Sequence, residues 1–312
     1  MGRLFAVGQG LSLFTTEHLG RYPSGAAPYI LMSIDISEIN AILSMDFMQN
    51  AMLAALLASV ACGLVGTLVL ANRILFLAGG VAHAAYGGVG LAFFLALPVM
   101  PTTLAFSIAA ALLMSCLALK AKLATETSIG VLWAAGMAVG IILIDLTPGY
   151  RADLMSYLFG SILAVGSSDL GFMLLLDVFL LAVVFLGYQS LLAFSFDREF
   201  AASRGLPVNF MHHLLVVMAA VTVVMLIRVV GLLLVMALFS IPPAMAVRVA
   251  KTFWGTMVLA VLNSALFCFL GLLLACLFNL STGAAIILVA CLAFALFTLW
   301  QRLKSALPHR PN

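Results

Sequence analysis

The sequence predicts an all-α, polytopic transmembrane helical bundle of about nine spans, within a range of eight to ten, and three observations carry that prediction. First, 65% of the 312 residues are hydrophobic and 8% are charged, against roughly 25% charged in an ordinary soluble domain. Fourteen basic and 11 acidic side chains cannot clothe a soluble protein of 33.0 kDa, which excludes a water-soluble enzyme. Second, a mean hydropathy of +1.25 leaves little chain for a soluble domain once the crossings are counted. Third, the apolar residues come in long uninterrupted runs rather than short alternating ones. Hydrocarbon offers no water to unpaired backbone groups, so such runs cross as helices and a barrel is excluded.

Runs bounded by charge, Pro or Gly place the crossings at 49–71, 74–97, 101–120, 128–147, 170–194, 209–227, 229–247, 254–278 and 282–301. Only short Pro-containing or single-charge breaks set the third and seventh apart from a neighbour. Residues 1–44 hold Arg3, Arg21, Glu17, Asp35 and Glu38 among scattered Gly and Pro, and form a short extramembrane extension with no clear signal-peptide cleavage site. Met45 is an alternative start. The transmembrane region then covers 45–304, and 305–312 is a short cytoplasmic tail. Between the fourth and fifth spans, residues 148–169 are too apolar for a solvated loop and too Gly-broken for a crossing, which predicts a re-entrant or interfacial segment.

Basic residues fix the expected orientation. With Arg73, Lys120, Lys122, Arg198, Arg204, Arg248, Lys251, Arg302, Lys304 and Arg310 in the cytoplasm, only Arg3, Arg21, Arg151 and Arg228 remain outside. That distribution puts the N-terminus outside, the C-terminus inside and the 195–208 connection in the cytoplasm. Net charge is only +3 with no basic run, so nucleic acid is not a partner. The five cysteines, Cys62, Cys116, Cys268, Cys276 and Cys291, lie in apolar stretches without metal-ligand spacing and read as small buried hydrophobes.

The stretch Leu77–Gly90, LAGGVAHAAYGGVG, is the most informative. His83 lies roughly 14 Å into its helix, near the middle of a core about 30 Å thick. An ionisable group at that depth belongs in the bundle interior. Gly79, His83, Gly87 and Gly90 share one helical face, so bare backbone flanks the imidazole. Two readings stand: a histidine lining an ion path, since neutral imidazole ligates transition metals, or a small-residue packing stripe with the histidine hydrogen-bonded across it. All 11 acidic residues occur at or before Glu199, so carboxylate ligands come from the first two-thirds of the chain. Asp177 lies about 12 Å inside the fifth span, where it requires a partner such as Arg228 or a hydrated path. Asp145, Asp153 and Asp169 sit at the outer half. Together with Asp177 and His83 they would make a funnel for a divalent cation, with His83, Asp177 and Asp145 as candidate metal contacts; the plainer reading makes the three outer carboxylates interfacial charges.

SFDREFAASRGLPV, Ser195–Val208, is the most charged inner loop. Asp197 suits an N-cap, Glu199 the first turn of a helix of about seven residues, and Gly205 with Pro207 its end. No GxxxxGK[ST] occurs, so energy from ATP has to come from another chain, and no HExxH or GxSxG pattern supports catalysis. The His212-His213 pair reads as snorkelling polar residues at the inner interface.

From Met45 onward the order of motifs resembles the ABC-3 family of metal-ion importer permeases, the cell-membrane (inner-membrane) subunits of zinc, manganese and iron uptake systems. Carrying it are CGLVGTLVLANR (Cys62–Arg73), GGVAHAAYGGVGLAF (Gly79–Phe93), ETSIGVLWAAGMAVG (Glu126–Gly140), YLFGSIL (Tyr157–Leu163), DREFAASRGLPV (Asp197–Val208), VVGLLLVMALFSIPPAMAVR (Val229–Arg248) and STGAAIILVA (Ser281–Ala290). The resemblance implies an extracytoplasmic metal-binding protein that delivers the ion and a second copy of the chain that completes the pathway. It also implies a cytoplasmic ABC ATPase dimer docking on the loop helix at 199–205, with Asp197, Arg198, Glu199, Arg204 and Gly205 as the coupling residues. ATP sits on that partner, and the only cofactor-like species is the transported divalent ion. His83 matches the family's SHA histidine, but the carboxylate that many members place one turn earlier is Gly79 here, and the preceding serine is Ala82. The alternatives are an ion-gradient-driven secondary metal transporter and a cobalamin- or iron-siderophore-type ABC permease; His83 and Asp177 disfavour the latter.

Overall fold

A computed structural model of the chain describes residues 45–120, 125–147, 162 and 165–306. The chain divides into two units, 1–49 and 50–312. Of the first, only 45–49 are described, and they lead into a helix. Ten helices are described: α1 (Asp46–Ala71), α2 (Leu75–Phe94), α3 (Val99–Lys120), α4 (Thr125–Asp145), α5 (Ser167–Phe196), α6 (Arg198–Ser203), α7 (Val208–Val230), α8 (Leu232–Ala246), α9 (Phe253–Phe278) and α10 (Thr282–Ala306). No strand occurs among the described residues.

Eight helices are long and apolar enough to cross a membrane, namely α1 to α5, α7, α9 and α10. The predicted seventh span at 229–247 is instead the 15-residue α8. Gly231 cuts it from α7 with φ 87° and ψ 153°, a backbone conformation that side chains with a Cβ avoid. α8 also carries Pro242 and Pro243 inside it. A proline in a helix withdraws the N–H that the carbonyl four residues earlier would accept, here Phe239 for Pro243. Gly66 of α1 comes against that carbonyl: a Cβ at Gly66 would lie 3.0 Å from the Phe239 oxygen.

The fifth span starts earlier than the hydropathy suggested. α5 opens at Ser167, with Asp169 accepting a hydrogen bond from the Gly166 N–H at 3.3 Å, so the last residues of the expected re-entrant segment belong to a crossing helix. Its remainder, 148–161 and 163–164, lies outside the described residues, as do 1–44 and 307–312.

Glycine sets how closely the helices approach. Gly90 on α2 meets the backbone of Gly140 on α4, Gly140 meets the Tyr86 carbonyl, and a Cβ on Gly136 would stand 2.8 Å from the Ala84 Cα. Gly88 lies equally close to Thr103 on α3. The pairs Gly80 with Ile129, Ala84 with Gly136 and Gly90 with Gly140 run in the same sense, so α2 and α4 are parallel, with α3 antiparallel to both. A second group joins α1 to α9, where Gly63 lies against Val261 and the Ser59 hydroxyl donates to the Cys268 sulfur at 3.8 Å. α9 meets α10 where Gly271 faces Ile286.

Alternating helix directions gather Arg73, Arg198, Arg204, Arg248, Lys251, Arg302 and Lys304 at one end of the bundle. Hydrogen bonds tie that end together: Asn72 to Ser195 at 2.8 Å, Ser115 with His213 at 2.7 Å and Arg248 to Gln301 at 3.4 Å. The cysteines divide, contrary to a uniform buried reading. Cys62 and Cys268 are buried, whereas Cys116 and Cys291 are exposed on the apolar flanks of α3 and α10. A thiol is apolar enough to serve in either setting.

Candidate functional site

α2 is built from small residues, and its neighbours close on nearly all of it, yet His83 stays half-exposed. Its ring stacks on Trp133 of α4, with centroids 4.1 Å apart and planes 17° from parallel. Trp133 is itself held, donating from Nε1 to the Met137 sulfur at 3.2 Å. The His83 Nδ1 is buried and has no hydrogen-bond partner. The packing stripe is therefore present, but stacking holds the histidine rather than a hydrogen bond across the interface.

One turn before His83, on the same helical face, stands Gly79. A Cβ there would lie 3.0 Å from the Met236 Cε and 3.8 Å from its Sδ. At about 100° per residue, His83 is turned about 40° from Gly79 around the helix, towards the α4 side. The imidazole thus lies in a seam between α4, which brings Trp133, and α8, which brings Met236.

Asp177 is placed elsewhere. It lies on the inward face of α5 with Met173, Leu176, Leu180 and Val184, is 4% exposed, and its Oδ2 has no hydrogen-bond partner. Its carboxylate lies within electrostatic range of the Cys62 thiol on α1. α2 packs on α3, α4, α7 and α8, while α5 packs on α6 and α7, so His83 and Asp177 sit on separate helices that share α7 as a neighbour. The side chain of Arg228, the partner considered for Asp177, lies outside the described residues, as does Asp153. Asp145 is the exposed last residue of α4, and Asp169 caps α5. Among the described residues no group of three or more His, Cys, Asp and Glu side chains is set to hold a metal ion.

The loop helix forms as α6, six residues long rather than seven. Asp197 caps it, accepting from the Glu199 and Phe200 N–H groups at 2.9 Å each. Gly205 ends it with φ 78°. Arg198, Glu199 and Arg204 are exposed, as are the aromatic rings of Phe196, Phe200 and Phe210 around them. The Arg204 guanidinium stands 5.9 Å above the Phe200 ring.

Three residues escaped the reading of the sequence. Trp133 and Met236 look like ordinary apolar helix residues, and only the fold brings them to His83. His212 does not snorkel: it is 3% exposed, and neither ring nitrogen has a hydrogen-bond partner.

The helices define a multi-pass protein of the cell membrane. Comparison with known proteins then gives its kind. The model of the ABC 3 transport family matches residues 44–301, and the chain belongs to that family, whose members are membrane permease subunits. It is 47% identical over 260 residues to an uncharacterized membrane protein of Synechocystis sp., covering 83% of this chain and 92% of that one. It is 30% identical over 256 residues to the manganese transport system membrane protein MntC of Listeria monocytogenes, covering 82% and 91%. Among solved structures it is similar to PsaBC from Streptococcus pneumoniae in complex with Fab, with a TM-score of 0.76, 30% identity, and 84% and 95% of the two chains covered.

Proposed function

We propose that this chain is the membrane permease of a binding-protein-dependent ABC importer for divalent transition-metal ions, of the zinc, manganese or iron class, with His83 on the ion's path. Membership of the ABC 3 transport family carries the reading, supported by a metal transport relative and by the half-open imidazole midway along α2. An imidazole with one buried unpartnered nitrogen suits a transient ligand, because it takes up an ion without first breaking a protein hydrogen bond. Asp177 is a second polar point on a separate helix, and Asp145 lies at the far end of α4.

The chain works with an ATPase dimer, a metal-binding protein outside the membrane, and a second copy of itself. α6 is the docking element for the ATPase: a capped, exposed knob of arginines and aromatic rings at the basic end of the bundle. That end faces the cytoplasm, as the excess of Lys and Arg requires.

The test is uptake of radiolabelled zinc, manganese and iron(II) into proteoliposomes, with and without the partner ATPase and ATP, and with a proton ionophore present. ATP-dependent uptake that survives the ionophore is the expected result. Uptake by the chain alone that the ionophore abolishes would mark a secondary transporter instead. Glu199→Lys and Arg204→Glu are expected to lower transport-stimulated ATP hydrolysis severalfold while leaving the permease folded; wild-type stimulation in both removes α6 from the docking surface.

A further inference from the structure

We infer that Met236 is a specificity-determining residue and that the His83 seam prefers a soft, thiophilic cation over hard manganese(II). This rests on the proposed passage of the ion at His83 and adds the chemical class of ion. A helical side chain leans towards the N-terminus of its helix, so the His83 imidazole covers the turn that begins at Gly79. Gly79 has no side chain to occupy that patch, and the Met236 thioether enters it, with Sδ 3.8 Å and Cε 3.0 Å from where a Cβ would stand. The sulfur therefore lies against the helical turn that the imidazole covers. Like His83, Met236 is only partly buried.

The donor chemistry decides the preference. Imidazole and thioether are both neutral, and the described residues bring no cluster of His, Cys, Asp and Glu to offset an ion's charge there. Moving an ion out of water costs free energy that rises with the square of its charge, so neutral donors at mid-depth handicap a hard divalent ion most. Thioether sulfur ligates soft ions such as copper(I) and adds little for manganese(II), which takes oxygen donors. Among divalent ions the same logic ranks zinc above manganese, in line with their general order of affinity.

The substitutions can be made without wrecking the helix contact. Leucine at 236 keeps the apolar volume. A side chain at Gly79 meets only the mobile end of Met236 and displaces it.

The experiment uses the full chain in lipid nanodiscs with the exposed Cys116 and Cys291 alkylated, silver(I) as the soft probe and manganese(II) as the hard one. Silver(I) is followed by calorimetry and by the His83 imidazole resonances, manganese(II) by electron paramagnetic resonance. Met236→Leu is expected to weaken the silver(I) site that perturbs His83 about tenfold and to leave manganese(II) binding unchanged. Gly79→Asp, which supplies an oxygen donor, is expected to reverse the preference. Equal silver(I) affinity in wild type and Met236→Leu, with His83→Ala still lowering uptake about tenfold, overturns the role of Met236 and leaves the proposed passage standing. Wild-type uptake in His83→Ala overturns the passage itself.

Discussion

α2 and α5 each carry one ionisable side chain in the middle of an apolar helix, and they present it in opposite ways. In α2, 78% of the hydrophobic window is buried, yet its histidine lies half open. In α5 only 28% is buried, with Phe172, Leu175, Phe179, Phe185 and Leu186 turned outward, yet its aspartate is 4% exposed. The contrast separates two uses of polarity in a membrane protein. A helix of Gly and Ala lets neighbours close on its backbone and leaves one ionisable group in a seam. A helix of Leu and Phe faces lipid, and the charge it cannot show there must turn inward.

That comparison can be broken at three points. The largest effect belongs to the close approach that makes α2 a buried helix. Gly140→Leu forces α4 off the Tyr86 carbonyl and is expected to cost about 3 kcal/mol or more, read as lost folded yield and a lower melting temperature in detergent. A normally stable variant would show that the α2–α4 contact is not tight. Next is His83→Ala, expected to cut uptake at limiting metal by about tenfold, equivalent to one lost ligand contact of about 1.4 kcal/mol, with the melting temperature almost unmoved because the side chain is only half buried. A large stability loss with normal uptake would make the stack on Trp133 purely structural. The smallest effect belongs to Asp177→Asn. An amide of the same shape relieves the burial of an unpartnered carboxylate oxygen, so stability is expected to hold or rise by less than about 1 kcal/mol while uptake falls by less than in His83→Ala. Wild-type uptake in this variant takes Asp177 off the path, and lowered stability reveals a cation paired with it.

Most of the fold was legible because a bilayer imposes one rule on every crossing: about 20 apolar residues, closed by charge or a helix breaker. The reading faltered where something other than length ended a helix. Val229–Val247 is apolar almost throughout, and hydropathy alone cannot register that Gly231 takes a positive φ and starts a separate short helix. The candidate site was half legible. His83 stood out because a titratable residue at mid-depth is costly, and Asp197 because a cap before a charged turn is a local pattern. Trp133 and Met236 were hidden, since the chain separations from His83 are closed only by helix packing. His212 was misread for a related reason. Near the end of a span a histidine can reach for water, but here Ser115 of α3 pairs with His213 of α7 while His212 stays enclosed.

α8 alone is too short to span the hydrocarbon. Fifteen residues rise about 22 Å, roughly 8 Å less than the hydrocarbon slab. Arg248, just beyond its end, reaches Gln301 and stands 5.5 Å over the Phe294 ring, well short of where α10 finishes. The flanks of α8 have to make up the difference, with Gly231 turning the chain at one end and Arg248 tied to α10 at the basic end.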